Sequence, residues 1–145
     1  MAVIEKETTV NGSCEKIWAD LIQDPNQWDQ WMTPIRGIEE HVNGPVRGGL
    51  DFHVQLGNIG GAKIKVVEAT PCRLLRWNAG PAMAHMMGMP MRGTLELRQL
   101  GTGTRVIMRM VTPMMMAPMM RMMSGLNSEE EVGKTIQRIK LRAEG

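Results

Sequence analysis

Hydrophobic and polar residues alternate along much of the chain, and this alternation predicts a protein built mainly of β-strands. Residues 2–10 alternate weakly and end in β-branched residues, which is typical of a strand. The clearest run is residues 50–56, in which every second residue is apolar. Further strands are predicted at residues 35–42, 62–67, 73–78, 94–100 and 105–112. Because short turns join consecutive strands, the pattern predicts an antiparallel meander.

Two short helices are predicted between the first strand and the second. Asn11-Gly12 is a turn signal, and Ser13 then opens a helix whose apolar residues follow helical spacing. Asp24 and Pro25 open the second short helix as its N-cap and first helical residue. The apolar positions of the two helices are Ile17, Trp18, Leu21, Ile22, Trp28 and Trp31.

The last part of the chain, residues 113–145, is predicted to be helical. Val132, Ile136, Ile139 and Ala143 form an apolar stripe at helical spacing. Ser128 with Glu131 fits a capping box, which allows a kink or restart at residues 124–128. On a helical wheel, with about 100° per residue, the methionines of residues 114–123 centre about 130° away from this stripe. Either the helix kinks near Gly125, or part of the methionine surface faces a second partner.

The length and net charge of the chain limit the classes of protein to which it can belong. The chain has 145 residues, which is one ordinary domain, and we assign residues 1–145 to it. A net charge of +2 gives no reason to expect nucleic acid as a partner. We expect no signal peptide and no transmembrane segment, because no sufficiently long apolar stretch is present. These features predict a cytoplasmic protein with, at most, transient membrane contact.

The predicted order of elements defines a fold class. A strand, two short helices, six strands and a long helix give an α+β protein with a curved antiparallel sheet of seven strands. One face of such a sheet must be covered. The C-terminal helix is the only predicted element large enough to cover it.

Four segments resemble a known superfamily, in the same order and over most of the chain. They are CEKIWADLIQDPNQWDQW (14–31), VVEATPCRLLRWNAG (66–80), LELRQLGTGTRVIMRM (95–110) and TIQRIKLRAE (135–144). The chain resembles the START-like, or SRPBCC, superfamily with its helix-grip fold, and within it the polyketide cyclase/dehydrase-like branch. The superfamily includes carriers of lipids and other hydrophobic ligands, cyclases, dehydratases and chaperone activators. It has no shared catalytic motif, so the fold alone does not decide the function.

The resemblance implies a cavity between the sheet and the long helix. Alternation along the strands, the two tryptophans of the second short helix and the methionine-rich segments provide its candidate lining. The predicted ligand-binding residues are Trp28, Trp31, Phe52, Val54, Ile64, Val66, Trp77, Met89, Leu95, Met108, Met110, Met115, Met119 and Met122. For Trp28 and Trp31 two interpretations are open: one of them caps the cavity entrance, or they lock the short helices onto the end of the sheet. We favour the second for one of the two and leave the other undecided.

Methionine is the unusual component, with 16 Met against one Phe, four Trp and no Tyr. Flexible thioether side chains suit a cavity that adapts to a large apolar ligand, and they also fill ordinary cores. Residues 83–91 combine methionines with His85, which are soft ligands for Cu(I). Zinc fits less well, because Cys14 and Cys72 are far apart and no second histidine lies nearby.

Titratable residues give no catalytic pattern. Alternation directs His53, Arg76, Glu96 and Arg98 away from the predicted interior, and His41 lies beside a turn. The two cysteines are too few for a disulfide framework, and we interpret them as small apolar fillers. We therefore predict no catalytic residues, no cofactor and no metal.

Three functions remain open on the sequence. The first is binding or carriage of a lipid, a quinone or a polyketide-like compound in the cavity. The second is a cyclase or dehydratase, which requires an ionisable side chain inside the pocket. The third is a Cu(I)-binding or protein-interaction module, including a homodimer, that uses the methionine-rich surface.

Overall fold

Seven antiparallel strands form one sheet in the computed structural model, which describes residues 2–57, 60–113 and 128–145. The strands lie in the order β1-β7-β6-β5-β4-β3-β2, so the predicted meander is confirmed and β1 closes it beside β7. Their bounds are β1 Ala2–Val10, β2 Ile35–Ile38, β3 Asp51–Leu56, β4 Gly60–Thr70, β5 Leu74–Gly80, β6 Met91–Leu100 and β7 Gly103–Thr112.

The helical segments follow the predicted order. Helix α1 (Cys14–Ile17) continues into a π-helical turn (Trp18–Ile22), and a 3₁₀-helix (Pro25–Gln30) comes next. Helix α2 (Ala82–Met86) lies between β5 and β6, and α3 (Ser128–Glu144) ends the chain. This architecture is the α+β helix-grip fold. No helix in the described ranges is both long and apolar enough to cross a membrane.

Both predicted N-caps are confirmed by their hydrogen bonds. Ser13 Oγ accepts from the backbone N–H of Lys16 at 3.2 Å. Asp24 Oδ1 accepts from the backbone N–H of Asn26 at 3.0 Å. Each side chain satisfies an N–H that the first helical turn leaves without a partner.

Two predicted segments differ most from the structure, and β4 and β6 are each longer than predicted. The second strand stops at Ile38 rather than Val42. Asn26 holds Val42 away from the sheet, because its Oδ1 accepts from Val42 N and its Nδ2 donates to Val42 O, both at 2.8 Å. The segment between the strands predicted at residues 73–78 and 94–100, which the pattern predicts as a methionine-rich loop at residues 79–91, is not a continuous loop: β5 runs to Gly80 and α2 follows directly after Pro81.

Helix α3 covers the inner face of the sheet at β1 and β7. Its predicted stripe is confirmed, since Val132, Ile136, Ile139 and Ala143 are all buried. The predicted helix at residues 114–127, with its possible kink near Gly125, lies outside the described residues, as do Met115, Met119 and Met122.

Polar contacts fix both ends of α3. Near its start, Thr33 Oγ1 donates to the Glu131 carboxylate at 2.5 Å, and Thr33 N donates to the buried Thr135 hydroxyl at 3.2 Å. Near its end, Lys140 Nζ donates to Thr9 O at 2.7 Å, and the Glu144 carboxylate accepts from Asn11 N at 2.8 Å. The helix is thereby held in register with β1.

One aromatic ring in the sheet requires a glycine opposite it. Trp77 on β5 pairs with Gly93 on β6, and the indole lies directly over the glycine. A Cβ atom at position 93 would stand 2.2 Å from Trp77 Cε2. A buried ring surrounded by packed side chains has little room to move, so only glycine fits there.

We expect Gly93→Ala to lower the free energy of unfolding by roughly 2–3 kcal/mol, as overpacking of a core does. Gly133→Ala is the matched control, because nothing lies within 4 Å of its added Cβ in α3. That change should raise stability by roughly 0.5–1 kcal/mol. Urea unfolding followed by tryptophan fluorescence measures both. Equal stability of Gly93→Ala and the wild type would contradict the packing described here.

The Glu144 contact predicts a pH dependence. The backbone N–H of Asn11, and then Lys140, hold the pKa of the Glu144 carboxyl below its ordinary value. Its contribution to stability is therefore present above the unfolded pKa and is lost as the pH falls through the lowered folded pKa. We expect Glu144→Gln to lower Tm slightly at pH 7 and to have no effect well below about pH 4. A Tm difference that persists in acid would refute this assignment.

Candidate functional site

The described part of the candidate site is the apolar inner face of the sheet. Alternation predicted this face correctly, because the sheet residues proposed as lining are buried in the core or packed against it. Among them, Met110 on β7 is only half-buried. Met89 follows α2 and is also half-buried. The residues brought together on the inner face are Phe52, Val54, Ile64, Val66, Trp77, Leu95, Met108 and Met110.

Trp28 is the centre of an aromatic cluster at one end of this face. Its ring centroid lies 5.3 Å from Phe52, 5.5 Å from Trp31 and 6.2 Å from Trp77. The rings of Trp28 and Phe52 meet edge to face, which is a favoured aromatic geometry. The cluster joins the 3₁₀-helix to β3 and β5.

The indole N–H groups of two tryptophans are used within the protein. Trp28 Nε1 donates to Ile22 O at 2.9 Å, and Trp31 Nε1 donates to Leu21 O at 2.7 Å. Both rings therefore lock the π-helical turn and the 3₁₀-helix together. Contact of either ring with a ligand stays a prediction.

Buried polar side chains within the described ranges are three threonines: Thr104, Thr112 and Thr135. Thr104 Oγ1 donates to Gly12 O at 2.8 Å, and the Thr135 hydroxyl lies 3.1 Å from the Thr33 hydroxyl. No buried side-chain nitrogen or oxygen of the described residues lacks a hydrogen-bond partner. The interior of this part of the chain is therefore apolar.

Lys6 is a residue of the inner face that the sequence analysis missed. It pairs with Met108 and therefore shares a face with it, but the Lys6 side chain lies at the border of that face and is 41% exposed. Its Nζ lies 3.4 Å from Glu129 Oε1 on α3. The run Glu5-Lys6-Glu7 is polar throughout, so its sequence does not show which side chain shares a face with the core. The pairing of Lys6 with Met108 on β7 shows it. A cation therefore borders the apolar face where α3 begins.

Helix α2 carries exposed methionines beside the sheet. Met83, Met86 and Met87 are 70%, 87% and 57% exposed. The half-buried His85 lies with Nε2 at 2.9 Å from Lys63 O, which ties α2 to β4. The short helix thus presents flexible apolar side chains to solvent.

Charged residues occupy the outer face of the sheet, as alternation predicted. Arg98 lies 2.9 Å from Glu96, and Arg76 lies 3.6 Å from Glu68. His41 and His53 are exposed, also as predicted. An outer groove of about 450 Å³ is lined by Glu68, Thr70, Arg73, Leu74, Glu96, Leu97 and Arg98. Acidic and basic groups are mixed in it, so it favours neither sign of ligand charge.

Cys14 and Cys72 meet in space, so treating them as distant was wrong. Their sulfur atoms and a carboxylate oxygen of Glu15 all lie within 4.8 Å of one another. Burial, then the neighbouring Cys72 and Glu15, raise the pKa of the Cys14 thiol to about 12. The cysteines are separated by 58 positions, and no local pattern in the sequence signals this contact. Two sulfurs and a carboxylate are also donors that a metal ion such as zinc accepts.

The tryptophan hydrogen bonds predict a stability effect. We expect Trp28→Phe to lower the free energy of unfolding by roughly 1–3 kcal/mol, because the buried Ile22 carbonyl loses its donor. Trp31→Phe should act similarly through Leu21 O. Urea unfolding followed by circular dichroism measures both variants. Wild-type stability in both would show that these bonds contribute nothing measurable.

Comparisons with known proteins agree with this architecture. A family profile described as "Polyketide cyclase / dehydrase and lipid transport" matches residues 1–144. A search of curated proteins found no significant match. The solution structure of the Aha1 dimer from Colwellia psychrerythraea has a TM-score of 0.72 at 18% identity, covering 99% of this chain and 97% of that one.

Two further solved structures show the same fold. Protein CV1439 from Chromobacterium violaceum has a TM-score of 0.71 at 16% identity, covering 100% of this chain and 99% of that one. DynU16, from the dynemicin biosynthetic locus, has a TM-score of 0.63 at 16% identity, covering 96% of this chain and 46% of that one. The resemblance to SRPBCC proteins is therefore confirmed, and the chain belongs to the polyketide cyclase / dehydrase and lipid transport family.

Proposed function

We propose that the protein binds a hydrophobic small molecule between the inner face of its sheet and its C-terminal helix. The observation that carries this proposal is the chemistry of the inner face. Its described lining is aliphatic, aromatic and thioether, and the buried threonine hydroxyls of Thr104 and Thr135 have partners within the protein. The family description, which includes lipid transport, supports the same function.

The free energy of binding would come from burial of ligand surface. Each Å² of apolar surface removed from water contributes about 25 cal/mol before the costs of ordering. Met108 and Met110 lie on the inner face, and their flexible side chains adapt to ligands of different shape. Lys6 at the border offers a cation that would orient a polar or anionic head group. A lipid, a quinone or a polyketide-like compound fits this combination.

A cyclase or dehydratase is the second candidate, and Lys6 is the observation that favours it. Such an enzyme needs a titratable group beside its substrate, and Lys6 lies next to Met108 at the border of the inner face, with its side chain 41% exposed. Lys6→Met separates the two functions. A carrier would keep its affinity for uncharged ligands, whereas an enzyme that uses this amine would lose turnover.

Ligand binding is tested first by native mass spectrometry of the purified protein, compared with its mass after denaturation. Titration with fatty acids, quinones and polycyclic aromatics follows, read through tryptophan emission. We expect at least one class to bind and to raise Tm. If no compound is retained and none of the panel shifts Tm, the proposal fails.

Two neighbouring residues of β7 give a matched pair of variants. Met110 faces inward, whereas Arg109 is exposed on the other face. We expect Met110→Glu to weaken binding by roughly tenfold or more, because it places a charge against an apolar ligand. Arg109→Glu should bind as the wild type does. Met110→Ala, which adds no charge, serves if the glutamate variant is unstable. Equal losses in Met110→Glu and Arg109→Glu would place the binding site elsewhere.

A further inference from the structure

Cys14 and Cys72 join two separate elements at one end of the sheet. Cys14 begins α1, and Cys72 lies in the turn between β4 and β5. The backbone of Cys14 is fixed by a 2.9 Å hydrogen bond from its N–H to Gln99 Oε1. Gln99 is in turn held by its Nε2, which donates to Gly101 O and Gly103 O. The backbone of Cys14 is therefore held at this end of the sheet.

The turn that carries Cys72 has an unusual residue at its third position. Arg73 N donates to Thr70 O at 3.0 Å, which closes a four-residue turn with Pro71 second and Cys72 third. Cys72 has φ +64°, a conformation that this turn position normally assigns to glycine or asparagine. It is the one non-glycine residue with positive φ in the described ranges. A cysteine is thus held at this strained position with its sulfur near Cys14.

We propose that Cys14 and Cys72 form a reversible disulfide site, which a small-molecule disulfide oxidises and a small thiol reduces. The pairing is unique within one chain, because these are its two cysteines. The donor set favours a disulfide over a closed metal site. It contains two sulfurs and one exposed carboxylate, whereas a structural zinc site takes four protein ligands.

The two cysteines would act in sequence because their exposure differs. Cys72 is half-buried and Cys14 is buried, so Cys72 meets the oxidant first. Its thiolate, formed by loss of a proton to solvent, attacks one sulfur of the small disulfide. The S–S bond breaks, a small thiolate leaves and takes up a proton, and a mixed disulfide remains on Cys72.

Cys14 then resolves the mixed disulfide. Its thiolate, formed by loss of a proton to solvent, attacks the Cys72 sulfur. The second small thiolate leaves and is protonated. Two protein thiols are oxidised by two electrons, and one small disulfide is reduced to two thiols.

The full-length chain, equilibrated in mixtures of oxidised and reduced glutathione, tests the proposal. We expect the wild type to lose the mass of two hydrogen atoms, to resist thiol alkylation and to regain both thiols with excess reduced glutathione. Closing a loop of this length should raise Tm by roughly 5 °C or more. The proposal is overturned by any of three results: thiols that stay free, a disulfide between two chains, or a zinc ion held by both thiols.

Three variants test the roles of Cys14, Cys72 and Glu15 in forming the disulfide. Cys14→Ser should accumulate one glutathione adduct on Cys72, because nothing resolves it. Cys72→Gly suits the turn backbone and so keeps the fold, and the buried Cys14 should then form adduct at least tenfold more slowly. Glu15→Gln should speed resolution of the mixed disulfide, because the Glu15 carboxylate helps to raise the pKa of the Cys14 thiol. Equal adduct formation in the two cysteine variants would contradict the assigned order.

Discussion

Packing around Trp28 joins the short helices to the sheet, and the rest of the inner face depends on it. Its ring touches Trp31 at the end of its own segment, Phe52 on β3 and Trp77 on β5. Trp77 in turn occupies the space that Gly93 leaves open on β6. The position of the short helices is therefore coupled through rings to the middle of the sheet. Large rigid side chains define one end of the interior, whereas methionines border the face toward β7.

The interior of the described part of the chain stays apolar because hydrogen bonds within the protein satisfy its buried polar atoms. The buried backbone carbonyls of Leu21 and Ile22 in the π-helical turn accept hydrogen bonds from the two indole N–H groups. At helix α3, the Thr33 and Thr135 hydroxyls lie 3.1 Å apart, and Thr33 also donates to the Glu131 carboxylate. Since an unpaired buried polar group costs about 1–3 kcal/mol, these local pairings are a condition for an apolar lining. In the proposed binding mode, selectivity for a ligand head group would come from the border of the inner face, where Lys6 lies.

Local periodicity predicted the parts of the structure that depend on neighbours in sequence. Phe52 and Val54 on the inner face, the α3 stripe and the caps Ser13 and Asp24 follow from spacings of two to four residues. Contacts between distant segments were not predictable in this way. The shortened β2 results from Asn26 binding Val42, which is decided by where the 3₁₀-helix sits.

At the candidate sites, the position of Lys6 and the contact between Cys14 and Cys72 were also not predictable from local periodicity. The orientation of Lys6 is set by the register of β1 on β7, and β1 alone alternates too weakly to reveal it. Cys14 and Cys72 are neighbours only because α1 packs against the end of the sheet where β4 turns into β5. A bond between them would tie the first helix to that turn. Because the same helical segment leads to the Trp28 cluster, the redox state of the pair would influence how firmly one end of the interior is held.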